Sequence, residues 1–253
     1  MTFEACAALV ERGDPDRFRV AMAAPPPARQ VLFPLYAFNL EVARAPWVTR
    51  EPMLAEMRLQ WWRDVVETSA AGEAPPAHEV ASPLGALIRE GRLDPATLDA
   101  IVQARRRDIE AEPFRPDDLR AYLEGTAGNL LWVSATALGE PATHRDAVLR
   151  AGYAAGLSSW LLALPDLAAT NRGLVDDSPT AIRALAEEGL SALAQARRTR
   201  FGPGIPALRA ASLARMILTT VKRAPDVVLE GRLTPSDVAK RSRLLWVTLT
   251  GNW

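Results

Sequence analysis

The sequence predicts an all-α protein, and three observations support that fold class. Alanine and leucine dominate long segments in which apolar residues recur at every third or fourth position, which is the helical period. No segment shows the alternating, β-branched pattern of a strand. Prolines preceded by aspartate, serine or threonine mark a series of helix starts. Because 49% of the 253 residues are apolar and no long linker divides them, we expect one helical-bundle domain over residues 1–253.

Two helices are predicted at the N-terminal end. The first covers Thr2–Arg12 and ends at Gly13. Asp14 and Pro15 then open a short second helix, with the aspartate as N-cap and the proline in the first turn. The three prolines Pro25–Pro27 are expected to form a stiff connector.

An aromatic-rich stretch then predicts two further helices. The first ends before Pro46, because the residue preceding a proline is pushed out of the α region. Thr49 is the expected N-cap of the second helix. The apolar face of the first contains Phe33, Tyr36, Leu40 and Ala43. The second is expected to bury a stripe made of Met53, Met57, Trp61 and Val65, widened by Leu59, Trp62 and Val66. Core packing is the default interpretation of these aromatic residues.

The middle of the chain predicts a loop after Glu67 and several more helices. Asp94-Pro95 introduces a helix of roughly 17 residues that ends in the charged run ARRRDIEAE, interpreted as a solvated surface. The helix that begins at Pro116 contains Gly125 and Gly128, which cost about 1 kcal/mol each relative to alanine. We therefore expect close approach there by another helix, the more common case, or by a ligand.

The C-terminal half continues as helices separated by proline-containing loops. One helix is predicted from about Glu140 to Pro165, and another begins at Pro179. The segment FGPGIP separates that helix from one over Leu208–Arg223. Thr234-Pro235 is expected to start the last helix.

Composition excludes several classes of function. The formal charge of zero, from 30 basic and 30 acidic residues, gives no support to nucleic-acid binding. Cys6 is the single cysteine and His78 and His144 lie far apart, so disulfides, zinc sites and histidine triads are not expected.

Glu4 and the absence of a basic segment argue against a signal peptide. The longest uncharged run, Gly152–Pro165, is too short to span a membrane. We expect a cytoplasmic protein without a transmembrane segment.

Three segments carry a resemblance to a known family. They are LYAFNLEVARA at residues 35–45, EPMLAEMRLQWWRDVVE at 51–67 and RRRDIEAEPFRPDDLRAYLEGTAGNLLWVSATALG at 105–139. Together they resemble the squalene/phytoene synthase family of all-helical head-to-head prenyl synthases, over about residues 15 to 200. The resemblance implies two prenyl diphosphate substrates and two aspartate-rich motifs that hold Mg²⁺ against the diphosphate. Carboxylates are needed there because hard cations must neutralise the leaving group.

The sequence departs from the family at both motifs. The aspartates of the first would fall at about Ala43 and Trp47, with Arg44 between them. The second would lie on the helix of Gly156, where the segment GLSSWLLALPDL offers Trp160, Ala163 and Asp166-Leu167. The pattern FNLEVA followed by MRLQWW is similar to a non-catalytic branch whose mitochondrial member assists assembly of respiratory complex I.

The resemblance suggests a first hypothesis: a pseudo-enzyme that acts in complex I assembly, contacts subunits or assembly intermediates of that complex, and holds an isoprenoid or lipid in a retained cavity. It would use no cofactor and no metal, and peripheral contact with the inner membrane would fit. The expected lipid- or substrate-binding residues are Tyr36, Phe38, Glu41, Asp108, Tyr122, Gly125, Gly128 and Trp160. The expected partner-binding residues are Trp61 and Trp62.

Two alternatives remain open. An active prenyl-diphosphate transferase would need Mg²⁺ held by atypical ligands, drawn from Asp64, Asp108, Glu112, Asp166, Asp176 and Asp177. A general helical scaffold would bind only a protein partner, and exposure of the paired tryptophans would favour it. The arginine run Arg105–Arg107 could also touch a diphosphate or an anionic membrane surface.

Overall fold

The computed structural model describes residues 3–49 and 51–253. The described residues form fourteen α-helices and no strand; an isolated bridge joins Phe114 to Leu174. This confirms the predicted all-α class. The helices are α1 Phe3–Gly13, α2 Pro15–Met22, α3 Pro26–Arg44, α4 Pro52–Ala70, α5 Ala81–Arg89, α6 Pro95–Arg105, α7 Pro116–Leu123, α8 Asn129–Ala137, α9 Arg145–Ala169, α10 Pro179–Ala196, α11 Ile205–Leu208, α12 Ala214–Arg223, α13 Asp226–Leu229 and α14 Asp237–Leu249.

Local capping explains several helix starts. Asp14 accepts a hydrogen bond from the backbone N of Arg17 at 2.9 Å, as predicted for the N-cap of α2. Asp94 caps α6 in the same way. The predicted proline connector is partly wrong, because Pro26 is already the first residue of α3; proline is well suited to a first turn. The predicted start of the first helix at Thr2 lies outside the described residues.

Helix α4 differs from the prediction at its N-terminal end. Its cap is Glu51; Thr49 instead accepts a hydrogen bond from the Glu51 backbone N at 3.1 Å. Met53 and Met57 are 75% and 61% exposed, so the predicted buried stripe is wrong over the first two turns. The helix instead buries Ala55, Leu59, Trp62, Val65, Val66 and Ser69. The predicted apolar period is therefore correct only further along the helix, and in the first two turns Ala55 is the residue that is buried.

The charged run after α6 also differs from the prediction. The α-helix ends at Arg105 after 11 residues and a 3₁₀ turn covers Arg106–Ile109. This turn directs Asp108 into the interior, where it is 7% exposed. The interpretation of the whole run as a solvated surface is therefore wrong for Arg105 and Asp108, whose side chains are 18% and 8% exposed.

Helices α7 and α8 are joined through a π-helical turn, Glu124–Gly128, that packs against α9. Glycines permit close contacts of this turn with α9 and with α6. A Cβ on Gly152 of α9 would lie 2.7 Å from the Gly128 Cα and 2.9 Å from the Ala127 carbonyl oxygen, and one on Gly125 would lie 2.9 Å from the Ala104 Cβ. Helix–helix packing therefore accounts for the predicted close approach.

Helix α9 is the centre of the bundle and contacts α8, α10 and α12. It continues through Pro165 to Ala169, so the predicted end at that proline is wrong. The segment Ala142–Ala169 is the one helix in the described residues that is long and apolar enough to cross a membrane, and 67% of its apolar window is buried inside the protein. Its apolar character is that of a core helix. Nearly all of the buried apolar residues from Cys6 to Trp253 form one cluster.

Candidate functional site

A cavity of about 220 Å³ lies where the end of α3, the 3₁₀ turn after α6, α7 and α9 meet. We call it the α3–α9 cavity. Its walls bring together four of the positions that the family resemblance matches to the two metal-binding motifs. These are Ala43 and Trp47 at the end of α3, and Ala163 and Leu167 on α9. The other lining residues are Arg105, Arg107, Asp108, Glu110, Phe114, Tyr122, Trp160 and Arg172.

The polar centre of this cavity is a buried triad of Arg105, Asp108 and Tyr122. The Tyr122 hydroxyl donates to Asp108 Oδ2 at 2.9 Å and accepts from Arg105 Nη1 at 2.5 Å. The same Arg105 nitrogen lies 3.2 Å from Asp108 Oδ2. The lone carboxylate of the triad is therefore already neutralised by a guanidinium and bonded to a phenol.

Burial and neighbouring charges shift the pKa values of the triad in opposite directions. Desolvation pulls the pKa of Arg105 down, but contact with Tyr122 and Asp108 outweighs it and raises that pKa. Burial, opposed by the charge of Arg105, raises the pKa of Tyr122 above its usual range. The guanidinium therefore stays charged and the phenol stays neutral at physiological pH. Arg105 Nε has no hydrogen-bond partner, which leaves one buried donor unused.

Two further arginines close the cavity. The Arg172 guanidinium lies 4.8 Å from the ring centre of Trp47, and its Nε donates to the backbone oxygen of Asp108 at 3.3 Å. The Arg107 guanidinium lies 4.7 Å from the ring of Phe114 and pairs with Glu110 at 3.2 Å. Cation–π contacts of this kind hold both side chains over the opening.

The loop after α9 is fixed to the cavity by backbone pairing. Phe114 donates to the Gly173 oxygen at 2.8 Å and accepts from the Val175 N at 3.0 Å. Asn171 adds a side-chain bond to the Ala111 oxygen at 2.7 Å. These contacts position Arg172, which the sequence prediction missed because a single arginine in a loop carries no local signal.

The donor set of the cavity does not fit Mg²⁺. A magnesium site needs several oxygen ligands with net negative charge, whereas this cavity offers three arginines, an Asp108 already in an ion pair and a Glu110 bound to Arg107. In the described part of the chain, no three acidic, histidine or cysteine residues cluster in a way that could hold a metal. Of the six carboxylates considered for atypical ligation, all except Asp108 are exposed.

A second concave surface contains the paired tryptophans and has a volume of about 410 Å³. We call it the tryptophan groove; it is lined by Glu41, Arg44, Ala45, Val48, Arg58, Trp61, Trp62 and His78. Trp62 is 3% exposed and Trp61 is half-buried. The rings of both contact His78 edge-on at 5.6 and 5.2 Å. The pair is therefore anchored in the core and presents one edge in an open groove.

The groove adjoins a set of exposed apolar side chains that we call the methionine patch. Val48 belongs to both surfaces. The patch consists of Trp47, Val48, Met53, Leu54 and Met57, which are 43–75% exposed. Large exposed apolar patches commonly mark interaction sites, and methionine suits adaptable ones.

A smaller cavity of about 130 Å³ lies beside Tyr36, between α2, α3, α8, α9 and α12. The Tyr36 hydroxyl is buried without a hydrogen-bond partner. Burial, opposed by the charge of Arg17, raises its pKa to about 12. Drug-sized ligands usually occupy roughly 300–1,000 Å³, so this cavity accommodates only a small group or part of a chain.

The predicted site residues therefore fall into four places. Asp108, Tyr122 and Trp160 meet in the α3–α9 cavity. Tyr36 lines the smaller cavity. Glu41, Trp61 and Trp62 line the tryptophan groove. Phe38 packs on Trp62 at 5.4 Å, and Gly125 and Gly128 contact neighbouring helices.

The chain is similar to known proteins in both sequence and fold. Residues 10–175 match the family model described as squalene/phytoene synthase. The human "NADH dehydrogenase (ubiquinone) complex I, assembly factor 6" is 29% identical over 162 residues, which is 63% of this chain and 48% of that protein. The Drosophila melanogaster homolog is 27% identical over 166 residues, covering 63% and 50% of the two chains. The chain spans about half the length of the curated relatives it matches.

Solved structures with the same fold cover nearly the whole chain. A dehydrosqualene synthase crystallised with a ligand superposes with a TM-score of 0.81 at 15% identity, over 98% of this chain and 95% of the other. Squalene synthase HpnC from Alicyclobacillus acidocaldarius gives a TM-score of 0.75 at 16% identity, over 87% and 93%. At these identities the similarity establishes the fold and confirms the predicted isoprenoid-synthase architecture.

Proposed function

The chain belongs to the squalene/phytoene synthase family, and we propose that it is a non-catalytic member that acts in the assembly of respiratory complex I. One observation carries the non-catalytic part. Four positions of the two expected metal-binding motifs, Ala43, Trp47, Ala163 and Leu167, line one cavity. The charged groups of that cavity, three arginines with Asp108 and Glu110, sum to a net positive charge. Ionisation of an allylic diphosphate with Mg²⁺ needs the opposite charge at this place.

The assembly role rests on the curated relatives and on a surface suited to a protein partner. Similarity to the assembly factors covers 63% of the chain. The tryptophan groove and the methionine patch are continuous through Val48 and include charged rim residues, Glu41 and Arg58. Partially buried tryptophans within an apolar surface are frequent interface anchors. We assign this surface to a subunit or assembly intermediate of complex I, reached from the cytoplasmic side of the membrane.

The α3–α9 cavity keeps a ligand-binding role in this proposal. Its guanidinium groups provide hydrogen-bond donors for a phosphate or diphosphate, and its walls include the aromatic rings of Trp47, Phe114 and Trp160. A volume of about 220 Å³ suits a headgroup with the first carbons of an isoprenoid or lipid tail. Such binding would use no metal and no other cofactor.

The catalytic half of the proposal is tested with purified protein, farnesyl or geranylgeranyl diphosphate and Mg²⁺. We expect no head-to-head prenyl product, while a squalene synthase assayed in parallel forms one. Robust turnover would exclude the non-catalytic role and favour the alternative, an active prenyl-diphosphate transferase with atypical ligands.

The assembly half is tested by deleting the gene and following NADH dehydrogenase assembly on native gels. Wild type should restore assembly, and Met53→Ser/Met57→Ser should not, because it makes the partner surface polar without touching the core. Asp166→Asn/Asp176→Asn is the matched control and should restore assembly fully, since these exposed carboxylates have no metal to hold. Normal assembly in the deletion strain would contradict the assignment.

Ligand binding is tested by calorimetry with isoprenoid diphosphate in the presence and absence of a chelator. Binding should be unchanged by the chelator and weakened by Arg107→Gln, because the arginine acts in place of a metal. Arg58→Gln in the tryptophan groove is the control. Binding that requires Mg²⁺ would refute the metal-free assignment.

A further inference from the structure

The outer face of α14 carries an exposed apolar stripe at helical spacing. Val238, Leu245, Trp246 and Leu249 are 74%, 60%, 62% and 75% exposed. Positions i, i+7, i+8 and i+11 share one side of a helix, and the intervening Arg241 and Ser242 on that side are also exposed. A large ring and three aliphatic side chains in water are unfavourable for an isolated molecule.

One flank of this stripe is a groove that contains four arginines. Arg197, Arg215, Arg223 and Arg243 line it together with Ser212, Met216, Thr219 and Thr220, and its lining residues include no carboxylate. Burial, with the charges of Arg243 and Arg215, lowers the pKa of Arg197. The cations are thus close enough to repel one another. Trp246 follows Arg243 by three positions and therefore lies beside the groove.

The other flank also carries positive charge beside apolar groups. Arg19, Ala23, Arg241, Leu244, Leu245 and Thr248 line a shallow groove between α2 and α14. Arg19 and Arg241 lie 3.7 and 3.9 Å from the single carboxylate of Asp237. Arg19 also pairs with Asp16 at 2.9 Å, and Asp16 pairs with Lys240 at 2.7 Å. Three cations therefore share two carboxylates, which leaves net positive charge on this side as well.

The charged residues of the chain are unevenly distributed, and the basic excess lies in the segment that contains α14. Residues 197–253 contain 11 of the 30 lysines and arginines but 3 of the 30 acidic residues. The zero net charge of the protein therefore conceals a strongly basic C-terminal quarter and an acidic remainder. Such asymmetry between parts of a chain suggests attraction to an anionic surface.

We propose that the outer face of α14, with the flanking arginines, docks on an anionic phospholipid bilayer. Leucine and tryptophan side chains insert at the boundary of headgroups and acyl chains, and arginines contact the lipid phosphates. The helix has 13 residues, or about 20 Å, so it lies in the plane of the surface. The exposed tryptophan and leucines favour a bilayer over nucleic acid, which offers no apolar phase for them.

This surface is separate from the tryptophan groove and the methionine patch, so the inference does not depend on the assembly role. It adds a way to hold the protein at a membrane while those surfaces face a partner. The α14 surface combines arginines that attract anionic lipids with apolar side chains that enter the bilayer, and stable peripheral binding needs both.

The test is co-sedimentation with vesicles of phosphatidylglycerol and phosphatidylcholine, compared with phosphatidylcholine alone. Wild type should bind the anionic vesicles and release them at high salt. Arg215→Gln/Arg223→Gln should weaken binding roughly thirtyfold, from about 1 kcal/mol per arginine. Trp246→Ser/Leu249→Ser should weaken it at least tenfold. Both pairs are on the surface, and circular dichroism would check that they fold normally.

Met53→Ser/Met57→Ser is the matched control, because it removes exposed apolar groups from a different helix and should leave vesicle binding unchanged. Brominated lipids should quench the fluorescence of wild type more than that of Trp246→Phe. Equal binding to both vesicle types, tighter binding to duplex DNA, or a stable dimer that Trp246→Ser dissociates would each overturn the proposal.

Discussion

Substitution of Asp108 by asparagine distinguishes a structural counter-ion from a metal ligand. In the α3–α9 cavity this carboxylate neutralises Arg105 and accepts the Tyr122 hydroxyl. Asparagine keeps the shape and one acceptor but removes the charge. The Arg105 side chain, 18% exposed, would then be a largely buried cation without a counter-ion.

The expected loss in the free energy of unfolding follows from the burial of Arg105 and Asp108. Breaking a buried ion pair on one side costs about 3–5 kcal/mol, and the residual exposure of Arg105 and the retained hydrogen bond reduce this to about 2–4 kcal/mol. For a chain of this size we expect a fall in Tm of roughly 5–12 °C. Glu112→Gln, an exposed carboxylate nearby in sequence, should change stability by less than about 0.5 kcal/mol.

The assay is urea unfolding with and without Mg²⁺ and inorganic diphosphate. The loss in Asp108→Asn should be the same in both conditions, because the carboxylate pairs with arginine and not with a metal. Arg105→Met/Asp108→Leu should be less destabilised than the sum of its single variants, since no unpaired charge remains. An Asp108→Asn variant as stable as wild type, or a stabilisation by Mg²⁺ that this variant abolishes, would refute the reasoning.

Three further outcomes follow from buried groups. Burial raises the pKa of Tyr36 from 10.0 to about 12. The contribution of this group to stability is therefore present below pH 10 and is lost as the pH rises through 12. Tyr36→Phe should flatten the alkaline end of the stability–pH curve, and it should be neutral or stabilising at pH 7. Burial also raises the pKa of Cys6 to about 12, so labelling by a thiol reagent should follow the unfolding rate and not precede it. Gly152→Ala should cost roughly 1–3 kcal/mol in thermal unfolding because its Cβ meets the Gly128 backbone, whereas Gly202→Ala, with open space around it, should be near neutral.

Features controlled by neighbouring residues could be predicted from the sequence. The caps Asp14 and Asp94 act within three residues and were predicted correctly. The buried face of α7 and α8, from Leu119 to Val133, also follows from the helical period. The family resemblance supplied the fold, which no single helix pattern specifies.

Features that depend on distant contacts could not be predicted. Asp108 is buried because Tyr122 binds it from another helix and Arg172 lies against its backbone. Met57 is exposed although it continues the apolar period of Trp61 and Val65, because that period alone does not show which turns of a helix have a neighbour. Similarly, Pro165 is accommodated inside α9 although it leaves the Leu161 carbonyl without a helical partner.

The charges of the cavity support the proposed non-catalytic role more strongly than the neutral side chains of Ala43 and Trp47 do. A neutral residue at a ligand position could be compensated by a carboxylate from a neighbouring helix. Here the charged groups of the lining are Arg105, which pairs with Asp108, Arg107, which pairs with Glu110, and Arg172. Their net charge is positive, which would repel a divalent cation and attract a diphosphate. Replacing Ala43 and Trp47 by aspartate would therefore create new ion pairs with these arginines before it created a magnesium site. The net positive charge of this lining is the observation on which the proposed metal-free anion pocket rests.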